Sequence, residues 1–136
     1  MQTSQRGLAM IEGFEGFSST VYPDAGHSAI GFGHDLLPGE SFPNGITREE
    51  AQSLLAKDVA KVESAVNNLG WPLTQNQFDA LVDFGYNLGV GVLYQMCAHG
   101  LEHVPEQMVR WNHCQGQVND ALTARRAAEV DLWNTP

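Results

Sequence analysis

Residues 11–34 read IEGFEGFSSTVYPDAGHSAIGFGH, and the character of the sequence changes within this stretch. Up to Glu15, apolar residues at helical spacing predict a short amphipathic helix, and Gly16 suits the position just after its end. From Tyr22 onward, a proline, several glycines and Asp24 predict a tight hairpin. Glu15, at the predicted helix end, and Asp24, in the predicted turn, therefore lie on either side of the boundary between helix and hairpin.

The surroundings of these two carboxyls assign each of them a role. Glu15 lies where the unpaired carbonyls of a helix C-terminus disfavour negative charge, and Phe14 and Phe17 flank it. Both effects predict a raised pKa for Glu15, as a general acid requires. Asp24, in a polar turn, suits a base or electrostatic stabiliser, and such a pair is the minimum for cleaving a glycosidic bond. On spacing alone, a surface glutamate and a turn-forming aspartate remain the alternative, and Glu12 is a rival acid.

Composition predicts one globular domain and disfavours several classes of partner. A chain of 136 residues fits a single domain, and 43% hydrophobic residues supply a core. No apolar run approaches the ~18 residues of a membrane span, and Met1–Met10 lack the apolar segment of a signal peptide. The net charge of −9 opposes binding to nucleic acid or to an anionic membrane. We therefore expect a monomer with neither as a partner.

Two cysteines, Cys97 and Cys114, leave three interpretations open. Buried reduced thiols are the first, because free cysteine is among the most buried residue types. A disulfide, which requires an oxidising compartment, is the second. The third is a metal site with His99, His103 and His113, although their spacing matches no familiar zinc site.

Capping and periodicity predict an α+β domain, mainly α, with a small antiparallel hairpin near its front. Thr47 and Glu50 form a capping box, and an apolar stripe follows it until Gly70. The resulting helix is about 35 Å long at about 1.5 Å per residue, enough to join two lobes. The predicted helices are 3–15, 47–69, 74–88, 91–99, 105–114 and 118–133, with strands in 18–34 and a loop at 35–45. In the last helix, the predicted core residues are Val118, Ala121, Leu122, Leu132 and Trp133.

Four ordered motifs, the first divided between residues 11–17 and 21–24, resemble the phage-type lysozymes of glycoside hydrolase family 24. Residues 11–17 and 21–24 match that family's glutamate-glycine and tyrosine-x-aspartate positions, and 29–34 (AIGFGH) matches its T-I-G-x-G-H segment. Residues 77–89 (QFDALVDFGYNLG) and 122–133 (LTARRAAEVDLW) follow in the same order. The similarity covers nearly the whole chain.

The resemblance implies a two-lobed lysozyme-like fold that cleaves the β-1,4 bond between N-acetylmuramic acid and N-acetylglucosamine in peptidoglycan. It implies Glu15 as proton donor to the leaving oxygen, and Asp24 as the group that helps water attack the opposite face of the sugar. The cleft would lie between a hairpin lobe (1–46) and a helical lobe (70–136), joined by the helix at 47–69. Substrate contacts are implied for Gly33, Tyr86 and Asn87, with helix packing as the alternative for the last two. No metal or cofactor is expected.

Structural support is implied for three further residues. His34, at the end of the hairpin, is expected to pair with Asp58 of the long helix. Either Arg125 or Arg126 is expected to reach Glu15 across the cleft. Two adjacent helical residues do not both face one site, and the sequence leaves the choice open.

One position departs from the family pattern. The family carries a threonine before I-G-x-G-H, whose hydroxyl helps to hold the attacking water, and Ala29 stands there instead. Its spacing from Asp24 is also one residue shorter than in the commonest form. Ser28 points to the opposite face of the strand, whereas His27 shares the face of Ala29. We expect His27, or Asp24 alone, to position the water; an exposed turn histidine and a weakened enzyme are the alternatives.

Several biological settings fit these features. An active muramidase would be a phage endolysin or a bacterial lysozyme, including a secreted toxin that meets an inhibitor or immunity protein. It would be made in the bacterial or host cytoplasm and act on the cell wall from the periplasm. The competing interpretation is a muramidase fold that binds peptidoglycan or a protein partner with little turnover, because Ala29 replaces threonine. An engineered Ala29 is a further alternative.

Overall fold

The computed structural model describes every residue from Met1 to Pro136. Its helices are α1 (Gln5–Glu15), α2 (Arg48–Asn67), α3 (Gln75–Leu88), α4 (Val90–Cys97), α5 (Val104–Met108) and α6 (Asp120–Trp133), with a 3-10 turn at Leu101–His103. Its strands are β1 (Ser18–Asp24), β2 (His27–Gly31), β3 (His34–Asp35), β4 (His113–Cys114) and β5 (Gln117–Val118). The predicted α+β class, mainly α, is confirmed. None of these helices combines the length and the apolar composition that a membrane crossing requires.

Side-chain caps explain where the two main helices begin. Thr47 caps α2, and its hydroxyl accepts a hydrogen bond from the Glu50 N–H while the Glu50 carboxylate accepts one from the Thr47 N–H. Thr74 and Gln77 form the same reciprocal pair at the start of α3. Both predicted capping boxes are therefore present, and they set the entry points of the helices that carry the site.

The first three strands form an antiparallel sheet in the order β1-β2-β3. Tyr22 pairs with Ala29, and Asp24 pairs with His27. Both residues of the turn at 25–26 have φ in the left-handed region, at 48° and 86°, as a tight two-residue hairpin requires. Directly paired residues share a face of the sheet, so these four side chains lie on one face of the hairpin.

Helix α3 lies at the centre of the helical part and contacts α1, α2, α4 and α6. It is buried without interruption from Phe78 to Gly85. At Gly85 the neighbouring α2 comes so close that an added Cβ would lie 2.6 Å from Val62 Cγ1. The missing side chain thus lets the long helix pack directly on α3, which holds the hairpin part and the helical part together.

The helix predicted over 105–114 is wrong in its second half. Helix α5 ends at Met108, and a two-stranded hairpin of β4 and β5 follows. Gln115 and Gly116 have positive φ, at 52° and 80°, and turn the chain between these strands. The start of the predicted last helix therefore belongs to β5, and Asn119 caps α6 instead.

The predicted core face of the last helix is only partly right. Leu132 and Trp133 are buried and Leu122 is half-buried, but Ala121 is exposed and Val118 is 62% exposed. Charged residues occupy the buried face in the middle of α6, namely Arg125, Arg126 and Glu129. The helix packs through buried ion pairs there, which a search for apolar residues does not detect.

The two cysteines are both free thiols. Cys97 is buried in α4, and burial raises the pKa of its thiol to about 12. Cys114 is exposed on β4. The interpretation as buried reduced thiols is therefore right for Cys97 and wrong for Cys114.

Candidate active site

Glu15 is the last residue of α1 and borders a shallow pocket of about 240 Å³ beside Phe17 and Tyr22. Its side chain is 19% exposed. Burial is the largest cause of the raised pKa of Glu15; the Arg125 guanidinium opposes the rise, and nearby carboxylates add to it. The raised pKa agrees in direction with the sequence prediction, and burial is its largest cause.

Gly33 brings the end of the hairpin against this acid. Its φ of +82° lies in the left-handed region, and a Cβ added there would lie 3.4 Å from Glu15 Oε1. Gly33 also lines the largest cavity of the molecule, about 640 Å³, which extends past Asp58 to Tyr86 and Val90. Gly33 therefore lies close to the Glu15 carboxyl and lines this cavity, whereas Glu15 itself lines the smaller pocket.

Arg125 is the arginine that reaches the acid. Its Nη1 lies 3.4 Å from Glu15 Oε2. Its Nε and Nη2 bind Asp83 more tightly, at 3.0 Å from Oδ2 and 2.9 Å from Oδ1, and both partners are buried. Bidentate pairing of this kind fixes the guanidinium in one orientation. Asp83 thus holds Arg125 in place and leaves Glu15 a single long contact.

Arg126 turns instead into the helical lobe. Its Nη2 lies 2.8 Å from Asn87 Oδ1 and 2.9 Å from Glu129 Oε2, and its Nη1 donates to the Trp111 carbonyl at 3.3 Å. Burial and the neighbouring Asp83 carboxylate raise the pKa of Glu129 well above its ordinary value, against the charge of Arg126. The Asn87 amide oxygen accepts a hydrogen bond from Arg126 and so takes part in packing between helices. This contact favours the alternative that Asn87 has a packing role.

Tyr86 connects α3 to the hairpin. Its hydroxyl donates a hydrogen bond of 2.7 Å to the Phe32 carbonyl, and burial is the largest cause of the raised pKa of the phenol. Its side chain also forms part of the cavity wall. Tyr86 therefore has a packing role and still faces the space where a substrate contact was predicted.

His34 is bound on both ring nitrogens. Nδ1 lies 2.8 Å from Asp58 Oδ2, the predicted partner, and Nε2 lies 2.8 Å from Glu40 Oε1. A neutral ring has only one N–H, so the protonated ring satisfies both carboxylates. Burial lowers the pKa of His34, but the hydrogen bonds and charges of the two carboxylates outweigh it, and the net pKa is raised. The end of the hairpin is thereby fixed to α2.

The hairpin face around position 29 has a buried end and an exposed end. Ala29 is completely buried, whereas Asp24 and His27 are exposed opposite each other at the tip. Tyr22 and Asp35 pair with Ala29 from either side. Burial and then the nearby carboxylates raise the pKa of Tyr22. His27 thus shares a face with Ala29, as predicted, and with Asp24, but its side chain is exposed at the tip whereas Ala29 is buried.

Sequence reasoning missed Asp83, Glu40 and Tyr22 as members of this site. Asp83 carried a usable signal, because a carboxylate inside the apolar run FDALVDFGY indicates a buried ion pair. Tyr22 lies two residues before Asp24 on one strand and so shares its face. Glu40 lies in a loop without periodicity and carried no signal.

A helix-end acid, a carboxyl at a hairpin tip and a cavity bordered by a long helix define a lysozyme-type protein. Residues 12–129 match the family described as Phage lysozyme. The chain is 37% identical to the endolysin of Bacillus phage PZA, over 99% of the chain but only 56% of that relative. It is 33% identical to the endolysin of Salmonella phage P22, over 98% of both.

A solved structure agrees with these sequence matches. The muramidase domain of SpmX from Asticaccaulis excentricus superimposes with a TM-score of 0.85 at 35% identity, over 99% of both chains. The chain belongs to the phage lysozyme family, whose members act on bacterial cell-wall peptidoglycan. It spans about half the length of the Bacillus phage relative that it matches.

Proposed function

We propose that this chain is a muramidase that cleaves the β-1,4 bond between N-acetylmuramic acid and N-acetylglucosamine. The observation that carries the proposal is the state of Glu15. Its carboxyl is mostly buried, its pKa is raised, and it lies close to Gly33, which lines the largest cavity. A raised pKa lets a carboxyl hold its proton to higher pH, as a donor to a leaving glycosidic oxygen must.

Asp24 takes the second role in this proposal. Its carboxylate lies at the exposed hairpin tip, and its charge acts on Glu15. In the inverting route, the second carboxylate directs a water to the face of the sugar opposite the leaving group. His27, directly opposite Asp24, supplies a ring nitrogen that helps to hold this water in place of the missing threonine hydroxyl.

The test of the enzyme is clearing of wall suspensions by the parent and by Glu15→Gln, with new reducing ends measured in parallel. The proposal expects clearing by the parent and none by the variant. For the water-positioning role, His27→Ala is expected to lower kcat about tenfold, less than the ~10²- to 10⁴-fold loss of a general base itself. Unchanged cleavage by His27→Ala would leave Asp24 as the sole water-directing group.

A second candidate function is a peptidoglycan- or protein-binding domain with little turnover. Ala29 favours it, because the position is completely buried and carries no hydroxyl. Wall binding without clearing by the parent would support this candidate. Clearing that appears only in Ala29→Thr would show that the missing hydroxyl is the cause.

A further inference from the structure

Lys57 and Lys61 are the only two lysines of the chain, and both line the largest cavity. They lie four residues apart on α2, so their side chains leave the same face of the helix one turn apart. Both residues are exposed, and neither forms an ion pair within 4 Å. Lys57 acts on Glu40 through its charge without a close contact. Two ammonium groups without a close partner, lining one cavity of a chain with net charge −9, point to an anionic ligand.

The other charged groups of the cavity leave these lysines available. Asp58 and Glu40 line the same cavity, but each accepts a hydrogen bond from the His34 ring. Asp35 is the third carboxylate that lines the cavity. The protonated His34 ring and the two lysines therefore supply three positive charges, which balance the three carboxylates. A carboxylate ligand is therefore not repelled there, although it is repelled by most of this acidic surface.

We propose that Lys57 and Lys61 bind the carboxylates of the peptides attached to peptidoglycan glycan strands. The inference rests on the proposed function, because peptidoglycan is then the polymer in the cavity. Every second sugar of that polymer carries, through a lactyl group, a short peptide with free carboxylates. Each ammonium group offers three donors to such an oxygen.

Gly33 connects the lysine pair to the acid. It lies against the Glu15 carboxyl on one side and lines the lysine cavity on the other. A glycan strand held for cleavage at Glu15 thus continues into this cavity, past the apolar wall of Tyr86 and Val90. A peptide on a sugar next to the cleaved bond then reaches α2. The lysines make the protein prefer peptide-bearing glycan over bare glycan.

The binding energy at this position is remote from the reacting bond. Such contacts hold substrate and transition state equally, so their loss raises KM and leaves kcat nearly unchanged. This split separates the lysines from Glu15, whose loss lowers kcat. A merely structural role of the lysines would change the cleavage of both kinds of glycan to the same extent.

The test compares intact wall with the same wall after an amidase has removed its peptides. For the double variant Lys57→Gln, Lys61→Gln, we expect kcat/KM to fall about tenfold on peptide-bearing wall and less than twofold on bare glycan. Lys57→Arg, Lys61→Arg is expected to retain the parent's preference. Arg6→Gln, which removes an exposed cation from α1, is the charge control and is expected to retain it also. Equal losses on both substrates would overturn the proposal.

Chemical modification gives an independent test on the parent protein. Acetylation removes the lysine charge and is expected to abolish the preference, whereas reductive methylation keeps the charge and preserves it. Acetylation also modifies the amino terminus. The double glutamine variant has no lysine, so its acetylation measures the effect of the amino terminus alone. If the parent cleaves neither substrate, the proposed function fails, and co-sedimentation decides the inference. Tighter binding of the parent than of the double variant to peptide-bearing wall alone supports it, and equal binding refutes it.

Discussion

Burial and three charged groups, Arg125, Asp83 and Asp24, set the protonation of Glu15. Burial favours the neutral acid, Arg125 opposes this at 3.4 Å, and Asp83 competes for the same guanidinium at 2.9 and 3.0 Å. Since Asp83 holds the arginine with two short contacts, the arginine does not form a full ion pair with the acid. The carboxyl thereby keeps a raised pKa beside a buried positive charge.

Glu15→Gln tests how the raised pKa of Glu15 affects both activity and stability. The substitution removes the proton donor at nearly constant size, so we expect cleavage to fall by about 10²- to 10⁴-fold. A raised pKa in the folded state means that burial penalises the charged form, so stability declines as pH rises through the folded pKa. The neutral amide escapes this penalty, and Tm at pH 7 should rise.

Glu12→Gln, one turn earlier on α1, is the matched control for this substitution and should leave activity and Tm unchanged. Cleavage assays and thermal melts of the two variants decide the matter. A Glu15→Gln protein that cleaves wall at the parent's rate, or that melts earlier than the parent, contradicts the assignment.

Asp83→Asn tests the competition for Arg125. The charge of Asp83 raises the pKa of Glu15, and its loss also frees Arg125 to approach the acid, so both changes lower that pKa. Because a general acid works only while protonated, the alkaline limb of the kcat/KM profile should move to lower pH. The broken buried pair should cost about 3 kcal/mol in unfolding free energy.

Asp79→Asn is the control for Asp83, because Asp79 is equally buried on α3 but binds Ser4 and Gln75. It should lose stability without moving the alkaline limb. Identical pH profiles for the two variants would show that Asp83 acts on stability alone.

At the scale of elements, the most consequential junction joins the hairpin, the loop after it and α2. His34 on β3 binds Glu40 from the loop and Asp58 from α2. The loop itself closes where the Leu37 N–H donates to Glu40 Oε1 at 2.9 Å. One protonated ring therefore fixes three elements that line the largest cavity, and its charge state affects their alignment.

His34→Gln should lower the unfolding free energy at pH 6 by about 3 kcal/mol, since two charge-assisted hydrogen bonds are lost. The folded pKa of His34 is raised, so its stabilisation is full below the ordinary value of 6.5 and is lost as pH rises through the folded pKa. Urea unfolding between pH 6 and pH 9 measures this slope. The variant should lack it, and His103→Gln, which breaks an exposed pair with Glu106, should keep it. A parent stability that does not fall over this window would refute the role.

At the scale of the whole molecule, one cooperative unit centres on α3. Its burial joins the core of the hairpin part to the ion pairs of α6, and Cys97 lies within the same core cluster. Cys114, by contrast, lies on the exposed β4–β5 hairpin. The reactivity of Cys97 therefore reports on opening of the core, whereas that of Cys114 reports on the exposed hairpin.

A thiol reagent should react with one cysteine per native chain. Cys114 is exposed, whereas Cys97 is buried with a pKa raised to about 12 and should react only when the core opens. Cys114→Ser should abolish the fast reaction and leave the slow one, whose rate should rise with denaturant. Two equally fast thiols in the native protein would contradict a single closed core.

The sequence predicted those features that are set by neighbours along the chain. Thr47, Thr74 and the glycine of the 25–26 turn specified helix starts and a hairpin through bonds to residues at most three positions away. The direction of the pKa shift of Glu15 was also predicted, although its largest cause is burial by distant segments. The β4–β5 hairpin was not, because Gln115 gave no turn signal.

The tertiary structure decided the rest. Only the packing of α6 directs Arg125 toward Glu15 and Arg126 away from it, because two neighbouring arginines are the same residue type until different partners surround them. Only the approach of the loop to α2 gives His34 a second carboxylate, and only the cavity joins Gly33 to the two lysines. Local hydrogen bonding determines where helices and turns begin, whereas contacts between distant segments determine which charges meet in a desolvated site.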